Sequence, residues 1–196
     1  HTISTLEPPD THVAAGPTHL VEVVNNSIGI YDKLTGANVS TQLLEDFFAD
    51  LALDGSTIFD PVVTYDALLG RFVVLAIEGS VPGNHVLYAV SDTSDPTEDA
   101  NADGNAFSEM HRLQIDAALW SDYPKVGWNF DAHVFSFNMF DGSDVFQRVD
   151  LLVIDKSTVS DADPASFASS ASWVAATVKR SALADAIAAA NIWSSR

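Results

Sequence analysis

The chain has no cysteine, which excludes disulfides, thiolate nucleophiles and cysteine-ligated zinc or iron–sulfur centres. That absence assigns no compartment, because many secreted bacterial proteins also lack cysteine. Positive charge is scarce: 9 Lys and Arg stand against 27 Asp and Glu, for a formal charge of −18. Such a surface repels phosphate backbones and anionic lipid and attracts cations, so no nucleic-acid partner and no membrane insertion are expected. No apolar run approaches the roughly 18 residues that a membrane-spanning helix needs. Also missing are the Gly-x-Ser-x-Gly elbow, the Gly-Lys-Ser/Thr phosphate loop, His-Glu-x-x-His and the dinucleotide Gly-x-Gly-x-x-Gly, so acyl transfer and nucleotide hydrolysis lose their usual markers.

What is present is apolar and β-prone. Apolar residues make up 47% of the 196 and charged residues only 18%, a balance that excludes intrinsic disorder. Runs rich in Val, Ile, Phe and Tyr, bounded by turn residues, predict strands at His19–Val24, Ile28–Tyr31, Arg71–Ile77, His85–Val90, His133–Asn138 and Val149–Ile154. Three of them end alike, in Tyr31-Asp32-Lys33, Val90-Ser91-Asp92 and Ile154-Asp155-Lys156. Upstream of each lies a matching unit: an Asp near a Pro, a short apolar stretch, a turn, then a basic or His residue leading a second strand. These units begin at Asp10, Asp60 and Asp122. A strand-rich unit returning about every 60 residues suits a propeller blade better than a solenoid coil. The expected fold is all-β: a partial β-propeller of about three blades over 1–160, divided near 8–56, 57–115 and 116–160. The alternative is an antiparallel β-sandwich.

The segments Pro8-Pro9-Asp10-Thr11, Gly16-Pro17-Thr18-His19, Tyr31-Asp32-Lys33, Asp60-Pro61-Val62-Val63-Thr64-Tyr65-Asp66, Gly70-Arg71-Phe72 and Asp122-Tyr123-Pro124-Lys125 resemble those of a family of large secreted microbial β-propeller proteins. The resemblance runs over roughly residues 8–160. It implies a propeller fold and an extracellular setting, and its members have more blades than three. Three blades leave sheet faces and edges to be covered. The expected partners are therefore a second copy or the missing remainder of the propeller. A chain beginning at His1 is expected to have lost a leader or to have been cut from a longer chain, and an acidic, lysine-poor surface suits a calcium-rich or salty exterior, so the expected location is secreted or cell-surface. Residues 161–196 are expected to form a linker and a C-terminal helix at Ser181–Trp193. A second helix is expected at Thr41–Leu51, where Leu43, Leu44, Phe47, Phe48 and Leu51 follow helical spacing.

Two constellations could carry chemistry. Asp99, Asn101, Asp103 and Asn105 place oxygen side chains at alternate positions, with Gly104 sixth in the loop, which is the first half of a calcium loop. Position twelve is Met110 rather than the bidentate Glu of the helix–loop–helix version, so the two readings are a loop-only Ca2+ site and a solvated acidic loop. Asp10, Asp60 and Asp122 would meet at one mouth of the propeller axis if each blade's first strand is innermost. His12, Tyr123 and Lys125 follow them closely. Converging carboxylates can accept sugar hydroxyls, hold a cation or share out acid and base roles; an Asp that merely caps a turn beside Pro is the competing explanation. The expected function is an extracellular, calcium-stabilised, non-catalytic module binding a protein or glycan. The alternative is a secreted polysaccharide hydrolase or lyase using the axial carboxylates.

Overall fold

The computed structural model describes residues 8–159; the expected C-terminal helix lies outside them. The fold is all-β, built from three antiparallel sheets in chain order. Sheet 1 comprises β1 (His12–Ala15), β2 (His19–Val24), β3 (Ser27–Asp32) and β4 (Asn38–Leu43). Sheet 2 comprises β5 (Ile58–Asp66), β6 (Arg71–Glu78), β7 (His85–Val90) and β8 (Glu109–Gln114). Sheet 3 comprises β9 (Trp120–Trp128), β10 (Ala132–Phe140) and β11 (Phe146–Asp155). The four-residue helices α1 (Leu44–Phe47) and α2 (Lys156–Val159) follow sheets 1 and 3. No helix among the described residues is long and apolar enough to cross a membrane.

Within each sheet every strand pairs with its neighbour in sequence, an antiparallel meander whose strands short turns can join, except that β7 and β8 are joined by the long segment 91–108. Two turns show how the sequence permits this. Asn25 sits at φ 52° between β2 and β3, a left-handed conformation that Asn tolerates. Gly70, at φ 74°, closes β5 onto β6 while its N–H donates to the Asp66 carbonyl at 2.7 Å.

Sheet 2 is the middle layer, which explains why β6 reads as an unbroken apolar run. Phe72, Val74 and Ala76 face sheet 1 and join Val21, Val23, Ile28 and Ile30 in one core. The alternate residues Val73, Leu75 and Ile77 face sheet 3 and join Phe135, Phe137, Met139, Leu152 and Ile154 in another. A strand buried on both faces loses the in–out alternation of a half-buried one. Face-to-face packing alone is shared with a sandwich. Here the first strands of the sheets are also neighbours, β1 against β5 and β5 against β9, so the sheets fan from a common inner edge as three blades of a partial propeller.

Two contacts fix the spacing of the blades. Between sheets 1 and 2, Gly16 lets the Phe72 ring approach so closely that a Cβ at position 16 would lie 2.6 Å from Phe72 Cζ. Between sheets 2 and 3, buried Asn84 donates to the carbonyls of Gly79 (2.8 Å) and Ser121 (3.0 Å) and accepts from Ser121 N–H (2.9 Å).

The helix expected at Thr41–Leu51 is corrected. Residues Asn38–Leu43 pair with β3 as an edge strand, and only Leu44–Phe47 are helical. β4 is exposed along its whole length, so its polar sequence gives little strand signal. The apolar spacing that mimicked a longer helix comes from Leu44, Phe47 and Phe48 plugging the end of the core of sheets 1 and 2.

Candidate functional site

The inner strands carry the same irregularity at the same place. In sheet 2, Phe59 pairs with Ile77 and Val62 with Leu75, so Asp60 and Pro61 together oppose Ala76. In sheet 3, Asp122 pairs with Asn138 and Lys125 with Ser136, so Tyr123 and Pro124 oppose Phe137. In sheet 1, Asn25 N–H donates to the Pro9 carbonyl (3.1 Å) while His12 pairs with Val23, leaving Asp10 and Thr11 opposite Val24. These are two-for-one β-bulges, which bend a strand and re-aim its side chains. Each opens with a residue in the left-handed region: Asp10 at φ 41°, Asp60 at 48° and Tyr123 at 51°. Asp accepts that conformation readily, but Tyr seldom does. The position in sheet 3 that matches Asp10 and Asp60 is therefore Tyr123, with Asp122 one residue earlier.

The three bulges converge on one cleft of about 230 Å3, lined by Asp10-Thr11-His12, Asp60-Pro61-Val62 and Tyr123-Pro124-Lys125. Hydrogen bonds stitch them together. His12 Nδ1 donates to the Val63 carbonyl (2.9 Å), joining sheet 1 to sheet 2. Tyr123 N–H donates to Asp60 Oδ2 (3.2 Å), joining sheet 3 to sheet 2. Lys125 Nζ lies 3.3 Å from the Tyr123 ring centroid and donates to the Pro124 carbonyl at 3.1 Å, so the one cation of the cleft is held over an aromatic face.

The carboxyls of the cleft are perturbed. Burial, then a hydrogen bond with Asp122 and the charge of Asp122, raise Asp60 above the ordinary Asp value, against the pull of Tyr123 N–H and Lys125. Burial and the charge of Asp60 raise Asp10, and Lys125 opposes them. Five of the six residues expected at the mouth, Asp10, His12, Asp60, Tyr123 and Lys125, line this cleft. Asp122 reaches it through Asp60. Composition and spacing gave no sign of the apolar lining by Pro61, Val62 and Pro124.

The acidic loop stands apart from the cleft. Asp99 accepts from the N–H groups of Asp103 (3.2 Å) and Gly104 (2.8 Å), and Asp103 from that of Asn105 (2.9 Å). Asn101 donates to Ser108 Oγ (2.7 Å) and Asn105 to Asp50 (2.9 Å). Its side chains serve the loop's own backbone, Phe107 N–H and the side chains of Ser108, Asp50 and Met110.

Two further groups of titratable side chains involve sheet 2 and had no signal in the sequence, because sheet packing, a loop and strand pairing together bring their members into contact. Fully buried Asp66, His133 and Tyr88 form a chain between sheets 2 and 3: His133 Nε2 lies 2.9 Å from Asp66 Oδ2, and His133 Nδ1 lies 2.8 Å from the Tyr88 hydroxyl. Lys156 pairs with the same Asp66 oxygen. Burial, outweighing the pull of Asp66, holds the imidazole below the usual His value. Burial also lifts the Tyr88 phenol well above its own. A neutral ring then donates from Nε2 to Asp66 and accepts at Nδ1 from the phenol. Asp66 itself is lowered, because burial, which would raise it, is outweighed by hydrogen bonds from Lys156, Leu69 N–H and His133.

The second group is Asp54, Glu78 and His85, each offering one potential ligand atom, all within 4.8 Å of one another. Arg112 Nε donates to Glu78 (2.6 Å) and its Nη2 to Asp54 (2.8 Å). Burial and the nearby guanidinium hold His85 below the ordinary imidazole value, against the two carboxylates.

No family model matches the chain, and no curated protein matches it. Among solved structures it is similar to a GH43 endo-arabinanase from Bacillus licheniformis, at 13% identity and a TM-score of 0.41, over 74% of this chain and 52% of that one. The chain thus spans about half the length of that enzyme.

Proposed function

We propose that this chain is a secreted propeller module that binds a glycan at the cleft where its inner strands meet, with Asp10 and Asp60 as acceptors for hydroxyl groups and Asp122 behind Asp60 as its partner. The observation that carries this reading is the convergence of three equivalent bulges on one acidic cleft. The bulges fix their side chains through backbone geometry, which lowers the cost of ordering them on binding. At about 230 Å3 the cleft falls below the roughly 300–1,000 Å3 of sites that engulf a drug-sized molecule, so it suits one residue of a polymer rather than a whole small ligand. In this reading the ring is completed by further blades or a second copy, and the loop Asp99–Asn105 takes calcium.

Binding to immobilised polysaccharides, followed by calorimetry, tests the proposal. Asp60→Asn should cost at least about tenfold in affinity, or about 1.4 kcal/mol, with the melting temperature nearly unchanged because the amide oxygen can still accept from Tyr123 N–H. Equal binding by wild type and variant would overturn it. Calcium at about a hundred times its Kd should stabilise the native chain by about 2.7 kcal/mol relative to chelator; no shift would remove calcium from the reading.

A second reading, acid–base cleavage of a glycosidic bond, is favoured by one observation: burial and the neighbouring Asp122 raise Asp60, as a general acid requires, with Asp122 tuning it rather than serving as its partner, because a glycosidase pair stands about 5 Å or more apart. Reducing ends released by the wild type and lost in Asp60→Asn would select it.

A further inference from the structure

We propose that Asp54, Glu78 and His85 form a site for a divalent transition metal of the zinc class, separate from the axial cleft and from the acidic loop. Glu78 ends β6 and pairs directly with His85 at the start of β7. Asp54 precedes β5, and its N–H donates to Glu78 Oε1 at 2.8 Å, which holds the loop against the strand end. One imidazole nitrogen and two carboxylate oxygens within 4.8 Å of one another match the mixed nitrogen–oxygen ligands of zinc rather than the all-oxygen shell of calcium.

A second observation points the same way. His85 Nδ1 is the one side-chain polar atom among the described residues that is shut from solvent without a hydrogen-bond partner. A buried donor or acceptor left unpaired costs about 1–3 kcal/mol, and a bound ion is one of the few things that accounts for such a group. Glu78 is buried while the Asp54 side chain is 49% exposed, so an ion has a way in, and three protein ligands leave a coordination position for water.

Arg112 already contacts both carboxylates, and it sets the limit on affinity. Each carboxylate offers about four lone-pair sites. Glu78 uses two, for Asp54 N–H and Arg112, and Asp54 uses two, for Ser56 N–H (2.9 Å) and Arg112. Acceptor capacity remains on both. With a neutral imidazole, the two carboxylates and one guanidinium carry a net charge of −1, which attracts a dication.

The full chain, stripped with chelator, is titrated with zinc chloride by calorimetry while the histidine ring signals are followed by NMR. The expected result is one equivalent bound, with the His85 resonances saturating at that stoichiometry. His85→Gln and Asp54→Asn should each weaken binding at least tenfold while the metal-free melting temperature holds, since the first removes an unpaired group and the second an exposed one. Excess calcium should leave the titration unchanged, which separates this site from the acidic loop. No saturable binding, or zinc binding retained in His85→Gln, would overturn the proposal.

Discussion

Replacing Asp66 by Ala is expected to destabilise the chain by about 3–5 kcal/mol, the usual cost of leaving a buried charge without its partner. The carboxylate of Asp66 is fully buried, and it takes both Lys156 and His133 as donors. Its other oxygen accepts from Leu68 N–H (3.0 Å) and Leu69 N–H (3.1 Å), so the turn into β6 loosens as well. Lys156→Met in the Asp66→Ala background should recover part of the loss, because the stranded cation is then gone. Denaturant unfolding measures both, and a loss under about 1 kcal/mol for Asp66→Ala would contradict this account of the interface between sheets 2 and 3.

The same network sets a pH dependence. His133 titrates below its ordinary 6.5 in the folded chain, so the unfolded chain takes up the proton first as pH falls. The stability contributed by the neutral ring is complete above 6.5 and is lost as pH drops toward the lower folded value. Asp66 adds a second loss below its ordinary 3.8. The melting temperature should therefore fall between pH 7 and 5, about a unit or two around the histidine value, and the fall should flatten in His133→Gln. A profile that is flat in the wild type would refute the assignment.

Phe72→Ala is expected to cost about 3–5 kcal/mol, as a fully buried aromatic truncated in a core does. Phe72 is 0% exposed, its ring lies 4.9 Å from that of Tyr65, and it closes on Gly16 of sheet 1. Gly16→Ala alone should cost about 1–3 kcal/mol by overpacking, since its Cβ would meet Phe72 Cζ at 2.6 Å and that ring is fully buried. In the Phe72→Ala background the same methyl group enters vacated space, so Gly16→Ala should cost much less. Strict additivity of the two changes would mean that sheets 1 and 2 do not meet at this point.

How far these features can be read from sequence depends on which force places each residue. β2, β6, β7 and β11 are legible because buried β-branched and aromatic runs follow from the core itself. β4 and β8, with the sequences NVSTQL and EMHRLQ, lie at sheet edges, where backbone pairing rather than side-chain burial makes the strand. The inner-strand residues were legible from the Asp-Pro and Tyr-Pro pairs. Their register was not: matching Asp to Asp placed Asp122 where the backbone puts Tyr123, because a bulge is fixed by its φ and by the residue that follows it. The chain from Tyr88 to Lys156 joins residues far apart in sequence, and Asp54 meets Glu78 and His85 only when its loop folds onto the β6–β7 hairpin, so no local pattern marks either group.

The inner strands of neighbouring blades bring Asp122 against Asp60, which lines the cleft. An NMR titration of the side-chain carboxyl carbon of Asp60, in the wild type and in Asp122→Ala, tests it most directly. Asp60 should titrate above the ordinary 3.8 in the wild type, and removing Asp122 should bring it down part of the way, since burial still acts. An Asp60 that titrates at its ordinary value and ignores the loss of Asp122 would contradict the arrangement of the three sheets.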